Sequence, residues 1–355
     1  NVPPPRPSMN ILRRIIGPET YIRLTSWEYW PFGIVQAPIF IYWLWLSIKA
    51  RTPFFFSASN PGILTGGMMG ESKFDVLNLV PESHRPKTIL IQIPVTPEAL
   101  KQQLADGGFS YPCIFKPDLG ERGWKVKIIR NDDDVLAYLG QIPLNFLAQE
   151  YVEAPLEFGV YYIRKPEEAN GRVVSITGKE MLSVTGNGIS TLRELVLSKD
   201  RARLQAARLA IEFADRWEWV VPDGEQIILN RIGNHCLGTQ FLDAGHLIDE
   251  TLHTSFDDLS KQIPGFYFGR YDLVCNSEED LRKARVKVVE LNGCGAEPAH
   301  IYHPGASFWK AVGVLFQHWR DLYEVSVQNH RRGEPYMGLR EGISIFRKTT
   351  AVVGK

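Results

Sequence analysis

From about Pro86 onward the chain alternates short apolar runs with stretches whose apolar residues recur every three or four positions. That is the texture of strands interleaved with amphipathic helices. TILIQI, YPCIFKP, WKVKIIR, FLAQEYV, EFGVYYIRK, RVVSITGKEML, FYFGRYDLVC and KVVELNGC predict strands. TPEALKQQLADGG predicts a helix capped by Thr96, with Pro97 in its first turn and Gly107 past its end. DDDVLAYLGQI predicts a second helix, its acidic first turn suited to the positive helix end. Residues 191–217 predict one long helix, SEEDLRKA a short one, and residues 306–332 a long amphipathic one. The chain therefore divides into an N-terminal region, 1–85, a mixed α+β region, 86–320, and a C-terminal helix end and tail, 321–355.

The N-terminal region has a different pattern. Tyr29–Ile48 is a run of 20 residues without Asp, Glu, Lys or Arg, and no acidic residue occurs between Glu28 and Glu71. A run of about 20 apolar residues is long enough to span a bilayer core, but Pro31 and Pro38 interrupt it. The longest regular helix expected there is about Ile39–Arg51. Apolar and aromatic residues rimmed by Arg13, Arg14, Arg23, Lys49 and Arg51 suit a helix lying on an anionic membrane surface. A helix packed against the core is the plain alternative. Residues 52–72 are rich in Gly, Pro and Ser and read as loop.

Charge narrows the function classes. Lys+Arg and Asp+Glu are both 40, so there is no basic excess to favour nucleic acid. Four cysteines, with no CxxC pair, argue against a disulfide framework or a cysteine zinc site and fit a reducing, cytoplasmic setting. The chain begins at Asn1, not Met, which leaves room for residues upstream.

The chemistry concentrates in three places. Arg270 and Asp272 alternate on one strand, and Glu290 and Asn292 alternate on the next, so each pair shares a face. Two carboxylates and an amide oxygen make a hard-oxygen set suited to Mg²⁺, with Mn²⁺ as an alternative. A surface strand pair with alternating polar residues would look the same. YPCIFKPDLGERGWKV ends an apolar strand in Lys116 and follows it with a turn holding Gly120, Glu121, Arg122 and Gly123. A point charge beside a flexible glycine loop suits phosphates, although an ordinary hairpin also fits. Gln149, Glu150, Tyr151 and Val152 close a hydrophobic strand. Asn230, Arg231, Asn234, His235 and Asp243 crowd a glycine-containing segment that fits either an acceptor site or a surface hairpin. His300 and His303 read as structural histidines or as neighbours of the donor site.

Taken in order, KPDLGERG, QEYVE, EFGVYYIR with GKE, and GRYDLV…VVELNG resemble the ATP-grasp superfamily over roughly residues 87–310. The chain is most similar to its carboxylate–amine ligases of the D-alanine–D-alanine ligase type. The resemblance implies an ATP-grasp fold, two α/β subdomains sandwiching ATP. It implies that Lys116 and the loop Gly120–Gly123 bind phosphates, and that Glu150, Tyr151, Val152 and Glu157 bind adenine and ribose. Lys179 would be the second phosphate lysine, Asp272, Glu290 and Asn292 the Mg²⁺ ligands, and Arg270 the group that stabilises an acyl phosphate. Lys87 is the candidate for the family's upstream lysine. The expected activity joins a carboxylate to an amine through an acyl phosphate, releasing ADP and phosphate. The chain departs from the family in its bulky Trp124 and in residues 1–85, which lack the usual small α/β first domain. The expected setting is cytoplasmic, peripheral on the inner membrane face, with an amphiphilic substrate. Alternatives are a soluble amino-acid or peptide ligase, a non-catalytic ATP-binding scaffold, and a phosphotransferase or thiol ligase of the same fold.

Overall fold

The computed structural model describes residues 11–120 and 123–353. Glu121 and Arg122 of the glycine loop lie outside the described residues, as do the N-terminal prolines. The fold is α+β. It opens with four helices, α1 (Ile11–Ile16), α2 (Pro18–Thr25), α3 (Phe32–Val35) and α4 (Ala37–Ala50). Gly17, at φ 84°, sets the break between the first two. Pro38 does not shorten α4. It sits in the first turn, where its missing N–H costs nothing. After a looped stretch comes α5 (Lys73–Asn78), capped by Ser72 Oγ accepting from the Asp75 amide at 3.1 Å.

The first sheet follows: β1 (Thr88–Ile91), α6 (Pro97–Asp106), β2 (Cys113–Pro117), β3 (Lys127–Ile129), α7 (Asp132–Leu139) and β4 (Phe146–Glu150). Its strand order is β1-β4-β2-β3, antiparallel throughout. Thr96 caps α6 through the Ala99 amide, as its sequence predicts. Leu100 and Leu104 of α6 and Val135 and Tyr138 of α7 pack on Ile91, Phe115 and Phe146, covering one face. The other face of β2 carries Lys116, because strand side chains alternate.

The remaining strands and helices run β5 (Leu156–Ile163), β6 (Arg172–Glu180), β7 (Ser183–Thr185), α8 (Leu192–Ser198), α9 (Asp200–Arg203), α10 (Ala206–Glu212), β8 (Gln226–Ile228), β9 (Gln240–Asp243), α11 (Glu250–Lys261), β10 (Phe268–Cys275), α12 (Glu278–Arg282) and β11 (Lys287–Asn292). The helix expected over 191–217 is broken, because Lys199 is extended at φ −95°, ψ 115°. The second sheet is antiparallel, in the order β11-β10-β5-β6-β9. One face buries Val160, Tyr162, Leu252, Phe256, Tyr271 and Val288. The other face changes character along the strands. At one end Tyr161 and Phe268 join a core with Leu46 of α4, Phe55, Phe56 and Leu322. At the other end Glu157, Lys179, Arg270 and Asp272 occupy it.

Two helices finish the chain, α13 (Phe308–Arg331) and α14 (Leu339–Val353). The apolar N-terminal helix resolves into two faces. Ile39 and Leu46 are buried, with Ile39 in a cluster with Ala311 and Leu315 of α13. Phe40, Ile41, Leu44, Trp45 and Ile48 are exposed. No helix among the described residues is long and apolar enough to cross a membrane.

Candidate active site

A cavity of about 600 Å³ lies between the two sheets. Ile114, Val126 and Ile128 on one side and Met181, Ile228 and Val274 on the other give it apolar walls. Lys116, Gly120, Gly123, Glu150, Tyr151, Val152, Glu157, Lys179, Asp272 and Glu290, all expected from the sequence, line it. A second cavity, of about 800 Å³, includes Arg270 and Asn292 in its wall. The two share Lys73, Gly120, Gly123, Lys179, Asp272 and Glu290, so they meet at the charged end of the second sheet.

Register brings the charges together. In the β10–β11 pair Arg270 faces Asn292 and Asp272 faces Glu290. Asp272 is the hub. Arg270 Nη2 donates to its Oδ2 at 2.9 Å, Asn292 Nδ2 to the same oxygen at 2.8 Å, and Lys179 Nζ lies 3.1 Å from Oδ1. Burial alone would raise its pKa, but Arg270 and Lys179 outweigh burial and hold it at about 2. Lys179 also donates to Glu157 Oε1 at 2.7 Å. Its own burial is overcome by Asp272 and Glu157, which raise its pKa above the ordinary lysine value. Gly159 on β5 faces Asp272 across the ladder. A Cβ there would come within 3.2 Å of Arg270 Cδ and 3.4 Å of Asp272 Oδ1, so glycine leaves the ion cluster its room.

Lys116 sits differently. It is buried, donates to Gln149 Oε1 at 3.1 Å and to the Val289 carbonyl at 2.9 Å, and has no carboxylate within ion-pair distance among the described residues. Burial, reinforced by nearby Lys73 and opposed by Glu290 and Asp272, pulls its pKa down to about 8. A buried cation with only neutral acceptors is poised for an anionic ligand.

Other expected residues serve different contacts. The Glu150 carboxylate accepts from the Lys87 amide at 3.1 Å, and Glu157 pairs with Lys179. Lys87 points its ammonium at the Gly108 carbonyl, 2.7 Å away, and lines neither cavity. In the segment 229–249, Asn234 lines both cavities, His235 the second and Arg231 the first, whereas Asn230 turns back on the Ile232 carbonyl. His303 Nδ1 accepts from the Asp243 amide at 3.1 Å, and burial lowers the pKa of His300.

Sequence reasoning missed Lys73. Its ammonium contacts the Gly120 carbonyl and lies 3.7 Å from Glu290 Oε1. The loop before it is pinned on both sides. The Ser72 hydroxyl donates to Asp118 Oδ1 at 2.8 Å, and the Cys294 and Gly295 amides donate to the Gly66 and Gly67 carbonyls. A Cβ on Gly67 would fall 2.6 Å from Gly293 Cα, so that approach needs both glycines. The glycine-rich stretch before Lys73, which reads as plain loop, was the available signal.

The donor set expected from the sequence for a divalent cation is Asp272, Glu290 and the Asn292 amide oxygen. Among the described residues no group of three or more His, Cys, Asp or Glu side chains is placed to hold a metal. The residues nevertheless fit Mg²⁺. They are hard oxygens on adjacent strands, Arg270 and Lys179 hold the Asp272 pKa below the usual carboxylate range, and Glu290 lies 3.7 Å from the Lys73 amine, its one ion pair among the described residues.

No protein-family model matches the sequence, and no curated protein matches it. Among solved structures the chain is similar to a D-alanine–D-alanine ligase from Bacillus anthracis, with 12% identity over 76% of this chain and 71% of that one and a TM-score of 0.43. It is similar to VanG D-Ala:D-Ser ligase from Enterococcus faecalis, with 12% identity, 74% and 62% coverage and a TM-score of 0.42. A bifunctional glutathione synthetase from Pasteurella multocida gives 13% identity, 72% and 38% coverage and a TM-score of 0.37. The chain thus spans less than two thirds of the length of the last two.

Proposed function

We propose that this chain is an ATP-dependent ligase that joins a carboxylate to an amine through an acyl phosphate. The observation that carries the reading is the meeting of two cavities at Lys73, Lys179, Asp272 and Glu290. The apolar slot between the sheets suits a nucleobase, and Lys116, at its charged end, supplies a phosphate-binding cation. The second cavity has room for the carboxylate and the amine. Mg²⁺ held by Asp272, Glu290 and Asn292 would neutralise phosphate charge when bound.

The remaining chemistry belongs to the protein's own groups. Lys116 and Lys179 hold the transferring phosphate in line with the substrate carboxylate. Arg270, fixed by Asp272 and by the Glu297 carbonyl at 3.0 Å, faces the second cavity, where the amine attacks. There it offsets the negative charge that builds on the acyl oxygen. Gly120 and Gly123, the latter at φ 70°, line both cavities, and shielding on that side would keep water from the acyl phosphate.

The exposed face of α4 supports a membrane-surface setting for this reaction. Ile41 and Ile48 are 74% and 70% exposed, and Phe32, which lines the second cavity, is itself 51% exposed. An amphiphilic substrate would reach the cavity along that face. The test is product analysis with ATP, Mg²⁺ and pooled carboxylates and amines. ADP and phosphate released only when both pools are present support the reading. AMP and pyrophosphate contradict it.

A further inference from the structure

The C-terminal helix α14 forms part of the wall of the second cavity, and little holds it there. Thr349 lines that cavity together with Met69, Gly70 and Glu71. Glycines allow the close contact. A Cβ on Gly70, at φ 79°, would fall 2.7 Å from Thr349 Oγ1 and 3.0 Å from Ile345 Cγ2, and one on Gly342 would fall 2.5 Å from the Phe54 ring. Gly342, Ile345 and Thr349 are three and four residues apart, so they form one docked face. Among the described residues, α14 has no hydrogen bond or ion pair to any residue before Gly338. The chain just ahead of it is anchored. Tyr336 stacks on His330 at 3.8 Å, and the Met337 amide donates to Ser57 Oγ at 2.8 Å. Gly338, where a Cβ would meet nothing within 4 Å, separates the anchor from the helix and is placed to serve as a hinge.

The open side of α14 is apolar. Leu339, Ile343 and Phe346 are exposed, Leu339 by 58% and Phe346 by 55%. Their spacing of four and three residues puts them on one stripe, next to the docked face. Arg340 and Arg347 flank the stripe on its other side. With Lys348 they make three basic residues on α14 against one acidic residue, Glu341. An apolar stripe with a basic flank suits an anionic lipid surface. The same cavity is lined elsewhere by Phe32, which meets Phe40 of α4 edge-on at 6.3 Å, and both rings are exposed. Exposed apolar surface therefore adjoins this cavity on two elements far apart in sequence.

We propose that α14 is a lipid-responsive cover of the second cavity: an anionic membrane surface takes up its Leu339–Ile343–Phe346 stripe, the helix pivots at Gly338, and the Gly70 side of the cavity opens. This rests on the membrane-surface setting above and not on the ligase chemistry. It extends that setting from a place of docking to a control of access. A surface can shift the helix only by holding the released form better than the docked one. An interfacial helix sinks its apolar face about 5–10 Å into the headgroup region. A helix lying flush on Gly70 and Phe54 is blocked from doing so along its docked side. Once released, it adds Ile345 to the face that meets lipid. Away from the membrane, α14 keeps Thr349 in the cavity wall.

The experiment follows backbone hydrogen exchange and co-sedimentation of the full chain with vesicles of phosphatidylglycerol and phosphatidylcholine, against phosphatidylcholine alone. On anionic vesicles the α14 amides should exchange more slowly, and those of Gly70 and Glu71 at least about fivefold faster. Phosphatidylcholine alone should change neither. Ile343→Ser/Phe346→Ser, at exposed positions, should leave thermal unfolding unchanged and lose both responses. The proposal is overturned if wild type binds anionic vesicles while Gly70 and Glu71 exchange as before, or if the α14 variant responds as wild type does. It is also overturned if raising the protein concentration without lipid slows α14 equally, which would mark a second copy as the occupant. Binding lost in Ile41→Glu/Leu44→Glu but kept in the α14 variant would spare the membrane setting and remove only this proposal. A wild type that binds no anionic vesicle would end both.

Discussion

Replacing Lys116 by methionine should make the protein more stable and less able to bind ATP. The buried Lys116 pKa falls from the ordinary 10.5 to about 8. At about 1.4 kcal/mol per tenfold in proton affinity, the charged form costs the native state about 3 kcal/mol. Methionine removes that cost and fills similar volume. It also removes two hydrogen bonds, to Gln149 Oε1 and the Val289 carbonyl. Gln149 Nε2 still donates to Thr88 Oγ1 and the Val289 carbonyl, so the chief loss is one acceptor, about 1–2 kcal/mol. The net gain is about 1–2 kcal/mol, a rise of a few degrees in the melting midpoint at pH 7. The sign with pH follows. The native state holds the charged lysine at a cost that is fully present below pH 8. That cost falls as pH rises and is gone above 10.5, so the advantage of the variant shrinks across that window. ATP affinity should drop about 10–100-fold, the worth of a charge-assisted hydrogen bond. Calorimetry of wild type near pH 8–9 should show proton uptake on binding, because phosphate charge raises the lysine pKa. A variant destabilised by more than about 1 kcal/mol, or one with wild-type ATP affinity, refutes the reasoning.

Asp272→Asn should slow ATP turnover at least about 100-fold, because a hard anionic ligand and the anchor of Arg270 and Lys179 are lost together. Substrate-dependent ADP release by the purified variant reads this, and wild-type rates would remove Asp272 from the site. Wild type should co-sediment with anionic vesicles, and Ile41→Glu/Leu44→Glu, both at exposed positions of α4, should not. Equal recovery of the two proteins in the supernatant would mean that this face does not meet lipid.

The strands that carry the site were legible because alternation along β10 and β11 is a local property. That Arg270 shares a face with Asp272, and Glu290 with Asn292, follows from spacing, whereas their expected roles came from the resemblance. Helix caps such as Thr96 and breakers such as Gly107 were equally local. Other features depend on contacts that sequence periodicity does not encode. The 191–217 pattern is helical throughout, yet Lys199 turns extended and sets off the short helix that carries Arg201 to Glu28. Lys73 and Glu28 reach the cavities from a region whose composition advertised only apolar surface and loop. The all-apolar look of Ile39–Leu46 concealed a helix with one buried and one open face, a division set by α13.

The central claim is that a substrate carboxylate attacks the γ-phosphate of ATP. Following oxygen tests it most directly. Carboxylates labelled with ¹⁸O, supplied as amino-acid and fatty-acid pools with ATP, Mg²⁺ and an amine pool, should pass one labelled oxygen into the phosphate released with ADP. Release of unlabelled phosphate with ADP, while a carbon–nitrogen bond forms, would contradict the acyl phosphate.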